Sequence, residues 1–408
     1  MCYLKKEGTY DLYGSHGLAW QYVVNKITKE CKLYNFKYIR TPIFEDTDLY
    51  HNLIGTNTDV VSKELYNFVD RNNDDISLRP EGTTGVIRSY LENQLYKENT
   101  TTKFYYYGSM FRHEKIENGR YREFQQFGVE MFNNNSIYSS VEIISLAFKI
   151  FKSLGLSDVR VYINNLGSFE NKKDYEKALK KYFKPHIDEL CDDCKRRYLK
   201  NPIRILDCKI DKRSDIVLNA PKIEDYINPE SKSNFNKVLN MLDKLNIDYV
   251  VNKNLVRGLN YYTDIVFEIK TNIEGLGSAN TICGGGCYNN IVKTDEGNNI
   301  NAIGFAIGLE RLIDILYRNN LLQNIERMID YNILFDDMYL CLKLRDKGFI
   351  SDIKYNGKSK YFIDKNDDVY LIKDNNNKVI VDNLSYDELI EKTSLIWFDL
   401  ASFFVFII

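Results

Sequence analysis

Histidine is scarce in this chain of 408 residues: His16, His51, His113 and His186 are the only four, and they are too scattered to suggest a metal cluster. Net charge is nearly absent as well, since 55 lysines and arginines stand against 57 aspartates and glutamates. Any nucleic-acid partner must therefore be met by local basic patches, in contacts that weaken with salt. No secretion signal is expected, because Met1–Tyr10 is polar and lysine-containing without an apolar core. The most hydrophobic stretch, Ser394–Ile408 (SLIWFDLASFFVFII), is shorter than the roughly 20 residues of a membrane helix and is interrupted by Asp399. It reads as a buried terminal element or as a sequence end that is not authentic, and no membrane partner is expected. Eight cysteines without a signal segment point to a reducing cytoplasm and not to a disulfide framework.

What is present is ordinary for a globular protein: 44% hydrophobic and 27% charged residues, enough for a full core and for two or three domains. The rest is organised around Tyr105–Phe132, YYYGSMFRHEKIENGRYREFQQFGVEMF. Two aromatic-rich, β-prone runs flank EKIENGR, whose Asn118-Gly119 pair suits a tight reversal. By strand parity Tyr121, Phe127, Val129 and Met131 share one face with Glu123 and Gln125. Phe124, Gln126, Gly128 and Glu130 share the other. A ring, an amide, a glycine gap and a carboxylate on one face form a floor for a small polar ligand. A solvated hairpin accounts for the same pattern equally well. Arg112 ends the first run, where its guanidinium suits a phosphate or carboxylate.

Trp20, Val23, Val24, Ile27 and Cys31 recur at helical spacing, and Phe36–Arg40 reads as a short strand before Thr41-Pro42. In Ser77–Tyr90, SLRPEGTTGVIRSY, Arg79, Glu81 and Thr83 alternate ahead of a helix. They suit an ammonium group, or else Thr83 or Thr84 simply caps the helix. Val141, Ile144, Phe148 and Phe151 mark another helix, ended at Gly155, and Val159, Val161 and Ile163 a strand. After Gly167 the composition changes, and residues 167–250 read as an inserted, helical subdomain. Cys191 and Cys194 form one CxxC with Cys208 nearby; lacking a second pair, they read as structural thiols and not as a metal cluster. Lys195, Arg196, Arg197 and Lys200 form a basic run that meets phosphates or simply faces water. Further on stand LVRGLNYYT, CGGGCY and AIGFAIGLERLIDILY. Arg311 falls in the first turn of the last segment's helix, where a cation opposes the helix dipole and an anionic ligand would explain it.

Together these stretches resemble the histidyl-tRNA synthetases, class II aminoacyl-tRNA synthetases, in order from about Lys5 to Arg318. KYIRTPIFE, with Pro42, resembles the class's first motif; FRHEKIENGRYREFQQFGVEMF resembles the second and GFAIGLERL the third. LVRGLNYYT and CGGGCYNN are similar to the two histidine-specific motifs, and LRPEGT joins them in the right order. The resemblance implies an α+β fold: an antiparallel class II sheet flanked by helices, a helical insertion and a small C-terminal α/β domain. The implied boundaries are a catalytic domain at 1–166 and 251–322, the insertion at 167–250, and a possibly shortened anticodon-binding domain at 323–408. It further implies a homodimer that ligates L-histidine to tRNA(His) through histidyl-adenylate, using ATP and Mg²⁺.

On this resemblance Arg112 and Arg311 bracket the ATP phosphates, Phe124 stacks on adenine, and Arg120 lies in the ATP loop. Glu81, Thr83, Gln126, Glu130, Tyr261 and Tyr262 hold the histidine ammonium and imidazole, with Tyr288 lining the same pocket. Arg257 matches the catalytic arginine near the α-phosphate. Three positions depart from the family: Asn260 stands in place of Asp, and Cys287 and Asn289 in place of Arg and Asp, changes expected to weaken histidine affinity or repack the pocket rim. The C-terminal part reads as a helix at Met338–Lys347 stopped by Gly348, a hairpin across DNNN and a capping box at Ser385-x-x-Glu388. A first strand after Asp330 is not evident. The competing readings are a catalytically weakened paralogue acting as a regulatory subunit, a class II synthetase for another amino acid, and an adenylate-forming ligase that does not use tRNA.

Overall fold

The aromatic hairpin forms, in unbroken register from Thr102↔Phe132 to Phe111↔Glu123. The computed structural model describes residues 3–404 except 57, 99, 117–118, 134–136, 209, 258–260, 272–279 and 324–328, with the backbone alone from 396 to 404. Asn118, Asn260 and the end of the terminal apolar stretch thus lie outside the described residues. The chain divides into a unit of Met1–Leu12 with Trp20–Gln323 and a unit of Tyr13–Ala19 with Asn324–Ile408.

Strands of the first unit are β1 (Lys37–Tyr38), β2 (Phe44–Asp46), β3 (Tyr66–Val69), β4 (Asp75–Leu78), β5 (Thr102–Phe111) and β6 (Glu123–Phe132). They continue with β7 (Val159–Asn165), β8 (Tyr249–Val251), β9 (Thr263–Thr271), β10 (Thr281–Cys287) and β11 (Ala302–Gly308). An eight-stranded sheet runs β1-β5-β6-β11-β10-β9-β7-β8, antiparallel except for the parallel pairs at its two edges. A small sheet, β2-β4-β3, leads into the helix Thr83–Glu92.

The odd face of β6 is core. Phe127, Val129 and Met131 are fully buried, each contributing about 1.5–3 kcal/mol by leaving water. Tyr105 and Tyr107 of β5 stack on Phe127 at centroid distances of 5.8 and 6.1 Å. The helices that cover the sheet use the stripes read from sequence. Val23, Ile27 and Cys31 are buried on the helix Gly14–Leu33, Val141, Ile144 and Phe151 on Ile137–Ser153, and Leu309, Leu312 and Leu316 on Leu309–Arg318. Gly155, at φ 88°, takes the left-handed conformation that follows a helix end.

Residues assigned from sequence to one insertion do two different things. From Phe169 to Asp225 the chain forms helices and short turns. Their apolar side chains, among them Tyr175, Leu179, Phe183 and Ile205, share a core with Val86, Tyr106 and Phe132. The helix Pro229–Lys244 instead packs on the helix Ile137–Ser153, and β8 extends the main sheet beside β7. Arg160 and Asp248 pair at 2.7 Å across that edge.

The second unit holds β12 (Ile329–Ile333), β13 (Ser351–Ile353), β14 (Ser359–Asn366), β15 (Val369–Asp374) and β16 (Val379–Leu384), in the order β13-β12-β14-β15-β16. The strand not evident after Asp330 is therefore present, as β12 in the sheet interior. Its sequence, IDYNI, hides it by interleaving two polar residues that are buried and satisfied. Asp330 accepts the Ile350 N–H at 2.8 Å and pairs with Lys360 at 2.7 Å. Asn332 bonds the Tyr355 backbone at both its carbonyl and N–H. Ser385 and Glu388 form the capping box of the helix Tyr386–Phe404. No helix among the described residues is long and apolar enough to cross a membrane.

Candidate active site

One cleft of about 530 Å³ in the first unit is lined by all twelve residues singled out from sequence: Glu81, Thr83, Arg112, Arg120, Phe124, Gln126, Glu130, Arg257, Tyr261, Tyr262, Tyr288 and Arg311. The even face of β6 forms its floor, as parity predicts. Tyr121 also lines the cleft, against its assignment to the opposite face. The strand begins only at Glu123, so alternation does not extend back to Tyr121.

Two bonded groups make up the site. The first is built on the start of the helix Thr83–Glu92. Neither threonine caps this helix with its side chain; Gly82 is the N-cap, and the Glu81 carboxylate accepts the Thr83 and Thr84 N–H groups, each at 2.8 Å. That leaves the Thr83 hydroxyl to donate to Glu130 at 2.7 Å. Glu130 is fully buried and also accepts from Tyr288 at 2.5 Å and from Tyr106 at 3.4 Å. Burial pushes its carboxyl up to about 8, more than these bonds to the ionised form offset. Near pH 7 it is thus a largely neutral acid that a ligand cation would ionise. Gln126 accepts from the Gly82 N–H and Tyr106 hydroxyl at 3.0 and 3.2 Å. Tyr261 packs on Tyr262 and Tyr288 with centroids at 4.7 and 5.8 Å, giving an aromatic wall.

The second group is cationic. Arg257 bonds Glu268, whose carboxylate also meets Lys270 at 3.0 Å and Thr281 at 3.3 Å. Burial works against the Arg257 charge, and Glu268 more than restores it. The guanidinium lies against Gly284, where any Cβ would collide with it. This explains one glycine of CGGGCY: the strand is bare so that the cation can cross it. Arg311 donates to the Thr281 carbonyl at 2.9 Å, while burial and the nearby Arg120 make its charge costly. The Nε atoms of Arg257 and Arg311 are buried with no protein partner among the described residues. Arg112 donates to the Pro80 carbonyl at 2.9 Å and lies 5.3 Å from the Phe124 ring centroid. Several fixed cations with unspent donors, beside two buried carboxylates and a wall of rings, suit an anionic nucleotide and a small zwitterion bound together.

Tyr106 and Glu268 escaped the sequence reading, although Tyr106 falls within the organising stretch and Glu268 ends LVRGLNYYTDIVFE. Cys287 and Asn289 do not reach the pocket rim. They line a separate cavity of about 300 Å³. There Asn289 donates to Asp264 at 3.0 Å and accepts the Ala302 N–H at 3.0 Å, contacts that tie the segment after β10 to β9 and β11.

A family profile described as histidyl-tRNA synthetase matches residues 8–312. The chain is 39% identical over 358 residues to a histidine–tRNA ligase of Macrococcus caseolyticus, covering 86% of this chain and 85% of that one. It is 45% identical over 329 residues to the histidine–tRNA ligase of Staphylococcus haemolyticus, covering 80% and 78%. The crystal structure of apo S. aureus histidyl-tRNA synthetase superposes with a TM-score of 0.79 at 32% identity, covering 96% of this chain and all of that one.

Proposed function

The chain belongs to the histidyl-tRNA synthetase family, and on that premise we propose that the cleft ligates L-histidine to tRNA(His) in two steps. A histidine carboxylate oxygen attacks the α-phosphorus of ATP, the bond to the bridging oxygen of the β-phosphate breaks, and pyrophosphate leaves. A terminal ribose hydroxyl of the tRNA then attacks the carbonyl of histidyl-adenylate and AMP leaves. The convergence of twelve residues on one cleft is the observation that carries this reading.

Each residue has a place in it. Glu81, Thr83 and Glu130 hold the substrate ammonium, and Gln126, Tyr261, Tyr262 and Tyr288 enclose the imidazole. Buried polar groups of this kind reject analogues that cannot satisfy them. Phe124 stacks on adenine, with Arg120 alongside; Arg112 and Arg311 bracket the phosphates. Arg257 faces the α-phosphate, where charge grows in the transition state, so catalysis is positioning plus fixed charge. Mg²⁺ takes oxygen ligands, and the carboxylates of Glu64, Glu114 and Glu310 line the cleft beside the arginines. Entering with ATP, it would neutralise phosphate charge.

A homodimer is supported by Tyr38, Ile43, Phe44, Phe68 and Val69, apolar side chains exposed near Pro42 on β1 to β3 and the segment joining β1 to β2. The five-stranded sheet of the second unit, with its first strand β12 in place between β13 and β14, supports an anticodon-binding role. Free thiols at the described cysteines agree with a cytoplasmic setting. A catalytically weakened regulatory paralogue would not need Arg112, Arg257 and Arg311 together in the cleft.

Charging of a tRNA(His) transcript with labelled histidine tests the proposal: ATP-dependent product is expected, and its absence from folded protein would refute it. Gly284→Ala is expected to lower this activity about a hundredfold by displacing Arg257, with circular dichroism unchanged. Full activity in that variant would mean that Arg257 is not held in its working position by the bare strand.

A further inference from the structure

We propose that Cys191, Cys194, Cys208 and Asp211 form a structural site for a thiolate-preferring divalent cation, Zn²⁺, within the inserted region. A lone CxxC does not suffice for such a site, but the fold supplies the other half. Cys208 and Asp211 repeat the two-residue spacing of Cys191 and Cys194, and the chain brings both pairs together. All four ligand atoms lie within 4.8 Å of one another, and the sulfurs of Cys191 and Cys208 are 3.6 Å apart. A tetrahedral ion with zinc–sulfur bonds of about 2.3 Å holds its sulfurs about 3.8 Å apart, so little movement is needed. Cys194, Cys208 and Asp211 are buried and Cys191 is half-buried, the closed setting of a structural and not a catalytic metal.

The surroundings also suit bound thiolate. Backbone N–H groups of Ile210 and Asp211 both point at the Cys208 sulfur at 3.4 Å, and the Cys191 N–H donates to Asp211 at 3.1 Å. Donors of this kind orient metal ligands and offset their charge. The ion would join the start of the helix Asp192–Lys200 to the turn Asp211–Arg213. Between the two ligand pairs lie Arg197 and Arg204, which line the nucleotide cleft. Arg197 donates to the Arg204 carbonyl at 3.2 Å, and Arg204 bonds Asp59 at 2.9 Å. The metal would thus brace the arm that presents these two arginines.

The test uses the full chain, purified under reducing conditions and stripped by chelation, then titrated with Co²⁺ alone. Thiolate-to-cobalt charge-transfer bands with the visible bands of tetrahedral cobalt are expected, saturating at about one ion per chain and displaced by Zn²⁺. Cys208→Ser should weaken Co²⁺ affinity by at least about tenfold, whereas Asp211→Cys should retain binding. Absence of the bands from reduced, folded wild-type protein overturns the site. So does oxidation of the reduced protein to a Cys191–Cys208 disulfide at the same rate with and without saturating Zn²⁺. The cobalt spectrum of the wild type decides the matter even where a variant fails to fold, and it does not depend on the aminoacylation reading.

Discussion

Replacing Arg257 by alanine is expected to slow histidine-dependent ATP–pyrophosphate exchange by about a hundred- to a thousandfold, the effect of deleting one preorganised group that meets transition-state charge. The loss should fall on kcat, with the KM values for ATP and histidine changing far less. Stability should suffer little, because Glu268 keeps Lys270 at 3.0 Å and Thr281 at 3.3 Å as partners. Arg257→Lys should not restore the rate, since an ammonium cannot engage Glu268 and a phosphate oxygen in the same planar fork. Exchange within about tenfold of wild type in Arg257→Ala would remove this residue from the chemistry.

The second large effect is expected at Glu130. Glu130→Gln should raise the histidine KM about thirtyfold or more, because a buried carboxylate partner of the substrate ammonium is worth about 2 kcal/mol at least. Its pH signature separates this role from a structural one. The folded protein holds the Glu130 proton up to about pH 8, whereas the unfolded chain releases it near the ordinary value of 4.5. The stability this group contributes is therefore complete below about pH 4.5 and is lost as pH rises toward 8. Glu130→Gln should flatten that part of the stability curve, so that the apo variant matches the wild type near pH 4.5 and exceeds it as pH rises toward 8. Histidine binding should expel the proton, so wild-type affinity rises with pH up to about 8, and calorimetry in buffers of different ionisation enthalpy should register the release. Binding without proton release at pH 7 would contradict the assignment.

Much of this site was legible because one strand carries it. Alternation along β6 placed Phe124, Gln126 and Glu130 together without any knowledge of the fold, and the odd face became core. Tyr121 escaped because parity holds only within the strand. The segment before this helix was open to an ammonium site or a cap by Thr83 or Thr84, and the threonine cap does not form: the Glu81 carboxylate accepts the first N–H groups, and the Thr83 hydroxyl turns to Glu130. What pattern could not show is pairing between distant segments. Nothing near Arg257 in the chain announces Glu268 as its counter-ion or Gly284 as the gap it crosses. The same limit hid Asp211, which joins Cys191, Cys194 and Cys208 only in the fold. In the second unit β12 was obscured because its polar residues are satisfied by a neighbouring loop and by β14, information absent from its own five residues.

Histidine-dependent ATP–pyrophosphate exchange by the wild-type protein, run beside a panel of other amino acids, tests the central claim most directly. Exchange with histidine alone is the predicted result. No exchange from folded protein, or exchange driven by a different amino acid, would contradict it.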